Sequence, residues 1–78
     1  MAKLLLLGPA REAAGVRNDT FEASSVEELL RLAGDRYGES FKQILDFSQI
    51  WLNGDWTELT CSIGPQDEVA VLPPVAGG

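Results

Sequence analysis

The sequence predicts an α+β domain in which one main helix packs across a mixed sheet of about five strands. Three features support this prediction: apolar, strand-like segments near both ends of the chain, a capped amphipathic helix between them, and an Asn-Gly pair typical of a tight hairpin. With 78 residues the chain is too short for two hydrophobic cores. We therefore expect one domain over residues 1–72, followed by an extended functional tail over residues 73–78.

The first strand is predicted from residues 3–7, a lysine followed by four leucines. This run is too short for a stable helix and is followed at once by Gly8-Pro9, so we expect a strand that is buried on both faces. A turn-rich stretch continues to Gly15. Residues 17–23 are then predicted to pair back as an antiparallel strand.

The main helix is predicted to begin at a capping box that runs from Ser25 to Glu28. In this motif the serine hydroxyl accepts from the N3 amide, and the glutamate reaches back to the cap residue. Gly38 is the predicted stop, and residues 41–45 repeat the helical spacing for a further turn or two. One helical stripe is apolar and is expected to face the sheet; it consists of Val26, Leu29, Leu30, Ala33 and Tyr37.

The second half of the chain predicts three more strands. Residues 49–52 lead into Asn53-Gly54, the pair that best accepts the positive φ angles of a type I′ turn, and residues 56–59 form the return strand. Residues 68–72 (EVAVL) supply the last strand. We expect the first and last strands to lie side by side and parallel at the centre of the sheet, with the helix as the crossover.

Trp51 is a candidate partner contact. Ile50 and Leu52 share one face of their strand, so if they meet the helix, Trp51 lies on the open face of the sheet. An exposed tryptophan suits a protein interface. The competing interpretation is that Trp51 completes a small second cluster with loop residues.

Composition argues against several classes of function. The net charge of −6, without a Lys/Arg cluster, predicts that neither nucleic acid nor an anionic membrane is a partner. The lone Cys61 is expected to be structural, and it indicates a reducing, cytoplasmic location. No histidine is present, so we expect no metal site, no bound cofactor and no catalysis by the chain alone. The opening residues are too short for a signal peptide or a membrane span.

The end of the chain is the candidate functional site. Pro73 and Pro74 lack amide donors, so the last strand must stop there and the tail must leave the sheet stiffly. Together with Val75 and Ala76 they are expected to position the tail in a partner's cleft, and six extended residues span roughly 20 Å. The alternative is a frayed terminus without function.

The terminal glycines are expected to carry the chemistry. Gly77 and Gly78 have no Cβ, so a cleft can close around their backbone and reach the last carboxylate. A carboxylate is a poor electrophile, and joining it to AMP supplies a leaving group. A sulfur donor can then convert the acyl-adenylate into a thiocarboxylate, which makes the protein a sulfur carrier.

Four segments resemble the small subunit of molybdopterin synthase, and the resemblance covers essentially the whole chain: Gly8–Gly15 (GPAREAAG), Val26–Leu30 (VEELL), Leu52–Gly54 (LNG) and Asp67–Gly78 (DEVAVLPPVAGG). The resemblance implies a ubiquitin-like β-grasp fold. It also implies that a ubiquitin-activating-type enzyme uses ATP to adenylate Gly78, which is then thiocarboxylated. The tail would then enter the large subunit of a heterotetrameric synthase, where two sulfurs are installed on a cyclic pyranopterin during molybdenum cofactor biosynthesis.

Three alternatives share parts of this pattern. A Gly-Gly end also occurs in carriers for thiazole or cysteine synthesis and in ubiquitin-like modifiers that form isopeptide bonds. A plain interaction module remains a further alternative.

The pair Arg11 and Glu12 is interpreted as a solvated loop pair.

Overall fold

A computed structural model describes residues 1–74 of the chain. Its elements are, in chain order, β1 (Ala2–Leu6), α1 (Gly8–Ala14), β2 (Asn18–Phe21), α2 (Val26–Tyr37), α3 (Glu39–Leu45), β3 (Gln49–Leu52), β4 (Asp55–Trp56) and β5 (Glu68–Leu72). The five strands form one sheet in the order β2-β1-β5-β3-β4. The predicted α+β class with a mixed sheet is confirmed.

The two most apolar strands lie next to each other, as predicted. β1 and β5 pair in parallel, with Leu4 opposite Val69 and Leu6 opposite Val71. β2 flanks β1, and β3 flanks β5, both in antiparallel pairing. Because a parallel pair needs a crossover connection, the helices between β1 and β5 must cover one face of the sheet.

The prediction that the first strand is buried on both faces was wrong. Ala2, Leu4 and Leu6 are buried, whereas Lys3 is exposed and Leu5 is only half-buried. The helices cover one face of the sheet alone, so alternate side chains of β1 point away from the core. The run of leucines concealed this alternation because the residue type does not change between the two faces.

The turn-rich reading of residues 8–15 was also wrong, since this stretch forms α1. Pro9 occupies the first turn of the helix, and Gly15 ends it in the left-handed conformation with φ of 79°. Proline near the start and glycine just past the end are typical helix boundaries, and the residues between them are good helix formers. The Gly-Pro pair therefore marks the beginning of a helix.

Ser25 caps the start of α2, as predicted, although the capping network differs in one contact. The Ser25 hydroxyl accepts from the Glu28 backbone N–H at 3.1 Å. The Glu28 carboxylate accepts from the backbone N–H of Ser24 at 2.7 Å, one residue before the predicted partner. Carbonyls of the 57–63 loop accept from the first two helical amides, those of Val26 and Glu27. The loop is thereby bound to the start of the helix.

The hairpin after β3 has the predicted turn but a shorter return strand. Asn53 and Gly54 have φ of 51° and 88°, as a type I′ turn requires. β4 ends at Trp56 instead of residue 59. The chain leaves the sheet there because the carbonyl of Leu59 is used by the Glu27 amide, at 2.8 Å.

The hydrophobic core lies between the helices and one face of the sheet. α2 ends at Gly38, as predicted, and α3 follows it directly. Ile50 and Leu52 pack against this core from β3. The buried apolar residues are Ala2, Leu4, Leu6, Ala10, Phe21, Val26, Leu29, Leu30, Ala33, Phe41, Ile63, Val69 and Val71.

Candidate functional site

The tail leaves the middle of the sheet. β5 lies between β1 and β3, and its last residue, Leu72, is opposite Gln49. Pro73 is buried and Pro74 is exposed, so the chain emerges from the domain between these two residues. The predicted end of the strand at the prolines is confirmed, since neither proline can donate to a sheet ladder. The buried Pro73 anchors the base of the tail.

The remaining residues of the predicted tail site lie outside the described part of the chain. These are Val75, Ala76, Gly77 and Gly78. Their proposed roles, positioning for the first two and acyl chemistry for the glycines, stay predictions.

An apolar depression of about 180 Å³ adjoins the base of the tail. We call it the tail-base patch; its residues are Pro9, Ile44, Phe47, Pro73 and Pro74. It joins the start of α1, the end of α3 and the end of β5, three segments that are far apart in the chain. All five lining residues are apolar, so covering the patch displaces water without desolvating a charged side chain.

Phe47 is the most exposed large apolar side chain of the patch, with 74% of its surface accessible. The turn that holds it is well supported. The Phe47 and Ser48 amides donate to the carbonyls of Ile44 and Leu45, and the Ser48 hydroxyl donates to the Ile44 carbonyl at 2.7 Å. These bonds satisfy carbonyls at the end of α3 and fix the backbone on both sides of Phe47.

Sequence analysis missed the tail-base patch. One signal was available, because Phe47 lies beyond the apolar stripe of α3, which consists of Phe41, Ile44 and Leu45. An aromatic residue off the stripe, between Asp46 and Ser48, indicates an exposed ring. Its proximity to the prolines could not be read from the sequence, because it depends on how α1, α3 and β5 assemble.

Trp51 lies where it was predicted, on the face of the sheet away from the helices. Its neighbours Ile50 and Leu52 pack against the core, whereas Trp51 is half-buried and outside it. Trp51 stands opposite Ala70 on one side and Trp56 on the other. Directly opposed residues share a face, so the open side of the sheet carries two indole rings on neighbouring strands.

The carboxylates and the phenol with displaced pKa values serve the fold. The Tyr37 hydroxyl donates to Asp19 at 2.6 Å, and this bond is the main reason that the pKa of Asp19 lies below its usual value. The backbone N–H of Ser24 lowers the pKa of Glu28, and that of Gly64 lowers the pKa of Asp67. None of these groups lines the tail-base patch.

A larger groove of about 940 Å³ lies between α2, α3 and the residues that follow β4. It shares no lining residue with the tail-base patch. Its cations face carboxylates: Arg31 lies 3.9 Å from Asp35, and Lys42 lies 3.9 Å from the same side chain and 3.5 Å from Glu39. Both cations of the groove are therefore paired, and Asp46 and Glu58 add two further carboxylates to its lining.

Two structural features are absent from residues 1–74. No group of three or more Cys, Asp or Glu side chains in this part of the chain is arranged to hold a metal ion. Among the described helices, none has the length and apolar character needed to cross a membrane. Cys61 packs against the core, and its carbonyl accepts from the Val26 amide at 3.0 Å, which is a structural role.

A mixed five-stranded sheet that grasps a crossover helix, and a central last strand that ends in two prolines, define a ubiquitin-like β-grasp protein of the sulfur-carrier or modifier class. The chain belongs to the ThiS family, which it matches over residues 4–78. The match extends through the glycines of the tail. No curated protein sequence matches the chain.

Solved structures with the same fold include several carriers and modifiers. Small archaeal modifier protein 1 from Methanosarcina acetivorans is 25% identical, with a TM-score of 0.88 over 99% of this chain and 95% of that one. A putative molybdopterin converting factor subunit 1 from Pyrococcus furiosus is 26% identical, with a TM-score of 0.83 over 95% and 97%. Subunit 1 in a complex of subunits 1 and 2 of molybdopterin-converting factor from Helicobacter pylori is 26% identical, with a TM-score of 0.75 over 99% and 97%.

Proposed function

We propose that this chain carries sulfur on its last residue, Gly78, as the small subunit of molybdopterin synthase. The observation that carries the proposal is the exit of the tail from the central strand at Pro73 and Pro74, the first buried and the second exposed. Because the exposed Pro74 starts the tail at the surface and both prolines restrict the backbone, a second protein can receive the residues that follow.

The first step is activation by a ubiquitin-activating-type enzyme. A carboxylate oxygen of Gly78 attacks the α-phosphorus of ATP, the bond between the α- and β-phosphates breaks, and pyrophosphate leaves. The acyl carbon is now joined to AMP, which is a good leaving group. ATP is used by the partner enzyme, and the chain itself binds no cofactor.

The second step installs sulfur. Hydrosulfide (HS⁻) attacks the acyl carbon, AMP leaves with the bonding electrons of the acyl–phosphate ester, and the sulfur proton is released as the thiocarboxylate forms. A persulfide donor reaches the same product when a thiol reduces the intermediate acyl disulfide. Gly77 and Gly78 suit both steps because an enzyme can approach their backbone from all sides.

The acceptor is proposed to be a cyclic pyranopterin held by the large synthase subunit. The similarity to molybdopterin-converting factor subunits from Pyrococcus furiosus and Helicobacter pylori supports this acceptor. Pro73 to Ala76 would lie in the entrance of the large subunit. Trp51, on the open face of the sheet, would contact the partner beside that entrance.

The second candidate is a protein modifier, and the similarity to small archaeal modifier protein 1 favours it. Both candidates share the adenylation step and differ in the acceptor. A carrier transfers sulfur and returns with a carboxylate, whereas a modifier forms an isopeptide bond with a lysine. A carrier for thiazole or cysteine synthesis differs only in the enzyme that accepts the sulfur.

Intact mass spectrometry tests the proposal. The chain is incubated with ATP, sulfide and the adenylating enzyme of its source organism, and we expect the mass to rise by the difference between sulfur and oxygen. Deleting Gly78, or adding one residue after it, should abolish the shift and leave the circular dichroism spectrum unchanged. A full shift in the Gly78 deletion would refute the mechanism.

A second measurement separates the acceptors. The thiocarboxylated chain is mixed with the large synthase subunit and the cyclic pyranopterin, and we expect dithiolene formation with return of the original mass. Covalent conjugates to other proteins in cell extracts, without sulfur transfer to the pterin, would instead identify a modifier.

A further inference from the structure

We infer that the tail-base patch is the surface on which the adenylating enzyme docks, with Phe47 inserted into an apolar pocket at the mouth of that enzyme's tail channel. This inference rests on the proposed function, since it concerns the enzyme that activates Gly78. It adds an interface on the helical side of the domain, separate from the sheet face that carries Trp51.

The reacting residue is close to the patch along the chain. Residues 75–78 connect Pro74 to the Gly78 carboxylate, and four residues span roughly 13 Å when fully extended. An enzyme that acts on the Gly78 carboxylate must therefore bring its channel within that distance of Pro74. Because Pro74 is itself part of the patch, the rim of the channel comes to lie against the neighbouring patch residues.

The surface of the tail-base patch is apolar. Phe47 exposes 74% of its surface next to Ile44 and Pro9, with no charged side chain lining the depression. An aromatic ring beside prolines favours an apolar pocket on the partner, where burial of the ring contributes affinity. Trp56 also has a highly exposed ring, but it lies in strand β4, outside this patch.

The backbone that carries the patch is held in place by the domain itself. The amides of Phe47 and Ser48 are bonded to the end of α3, and Pro73 is buried. Phe47 and Pro74 are thus presented by fixed backbone, so docking orders few additional groups. The activating enzyme is the occupant common to a sulfur carrier and a modifier, because either must be adenylated before transfer.

The test is ATP–pyrophosphate exchange catalysed by the purified adenylating enzyme of the source organism, measured against the concentration of the full-length chain. We expect Phe47→Ala to raise the concentration needed for half-maximal exchange by about tenfold, as loss of a central interface residue does. The rate at saturation should stay that of the unchanged chain, because the inference places Phe47 at the mouth of the channel and not at the reacting carboxylate. The increase should persist in high salt, since the contact is apolar.

Leu59→Ala is the matched control. Leu59 is an exposed apolar residue, 46% accessible, and its carbonyl contacts the first turn of α2. That turn lies at the end of the sheet where β1 begins, opposite the end where the tail leaves. Truncation there should change the half-maximal concentration by less than about twofold.

Phe47→Gln guards against a folding defect, since it removes the ring and retains much of the side-chain volume. Thermal melting of each variant reports the fold. Exchange that is unchanged in both Phe47 variants, or weakened equally by Leu59→Ala, would overturn the inference. A change in the oligomeric state of the Phe47 variants, with no change in exchange, would also overturn the inference. That result would assign the patch to self-association.

The Gly78 deletion separates this inference from the proposed function. If the Gly78 deletion supports no exchange at any concentration and Phe47→Ala supports normal exchange, the docking inference is wrong and the proposed function stands. Normal exchange by the deletion variant sinks the proposed function itself.

Discussion

At the scale of single residues, a polar cluster surrounds Asp19. Asp19 accepts from the Tyr37 hydroxyl at 2.6 Å and pairs with Arg36 at 3.0 Å. The Arg36 guanidinium also lies 4.1 Å from the centre of the Phe21 ring, and Tyr37 packs edge-on against Phe21. These contacts join the end of α2 to β2.

Tyr37→Phe should lower the free energy of unfolding by about 1.5–3 kcal/mol at pH 7, the range for a hydrogen bond to a charged group. The ring contacts to Phe21 and Phe41 remain in this variant. Urea unfolding followed by fluorescence measures the difference. An Asp19→Asn, Tyr37→Phe cycle is the control, and additive losses would contradict the coupling.

We also expect the stability lost in Tyr37→Phe to depend on pH. The Tyr37 bond, followed by smaller contributions from Thr20 and Arg36, lowers the folded-state pKa of Asp19 below 3.8. A depressed carboxyl pKa stabilises the fold above the unfolded-state value and ceases to do so as the pH falls through the folded-state value. The stability gap between the unchanged chain and Tyr37→Phe should therefore be constant above pH 3.8 and narrow below it. A gap that widens in acid would contradict this assignment.

At the scale of elements, the start of α2 is held from two directions. Ser25 caps the Glu28 amide, and the 57–63 loop supplies carbonyls to the two amides before it. The side-chain cap follows a local sequence rule, whereas the loop contacts join residues more than thirty positions apart. The loop explains both the short β4 and the placement of Cys61.

Ser25→Ala should cost about 1 kcal/mol of unfolding free energy, the usual effect of losing a serine N-cap. Denaturant midpoints at constant slope measure it. Ser24→Ala is the control, because the contribution of Ser24 to Glu28 is made mainly through its backbone N–H. Equal losses in the two variants would show that the Ser25 hydroxyl does not act as a cap.

The alternation within β1 gives a second element-scale prediction. Leu4 is fully buried and Leu5 is half-buried on the open face. Leu4→Ala should destabilise the protein by about 2–5 kcal/mol, as core truncations do. Leu5→Ala should cost about 1 kcal/mol or less. Thermal unfolding of the pair measures the contrast, and similar losses would contradict the one-sided burial of the strand.

At the scale of the whole molecule, the folding core and the proposed chemistry occupy separate parts of the chain. The core residues run from Ala2 to Val71, and the anchoring Pro73 follows directly. A domain of 78 residues has a free energy of unfolding of roughly 4–12 kcal/mol. Because this margin is small, changes to the tail leave the fold intact only if the core does not depend on contacts with the tail.

Truncation after Pro74 should leave the melting temperature unchanged and abolish adenylation. Calorimetry measures the first effect and ATP–pyrophosphate exchange the second. The matched control is truncation after Leu72, which also removes the buried Pro73 and should lower the melting temperature. A large destabilisation on removal of residues 75–78 alone would mean that the tail belongs to the folding unit.

Most elements with strong local signals were predictable. The cap at Ser25, the stop at Gly38, the hairpin at Asn53-Gly54 and the end of β5 at Pro73 each depend on backbone preferences of the residues concerned. The parallel pairing of β1 and β5 followed from their apolar character. α1 was also predictable in principle, but its Gly-Pro start was interpreted as a turn.

The sequence by itself therefore determined the order of the strands and the main helix, most of their boundaries and the end of β5 at the prolines, because these depend on neighbouring residues. Only the tertiary structure decided which leucines of β1 are buried, where β4 ends and which side chains surround Pro74. The physical reason is that each of these depends on contacts between residues far apart in the chain, as when Pro9, Ile44 and Phe47 meet the two prolines.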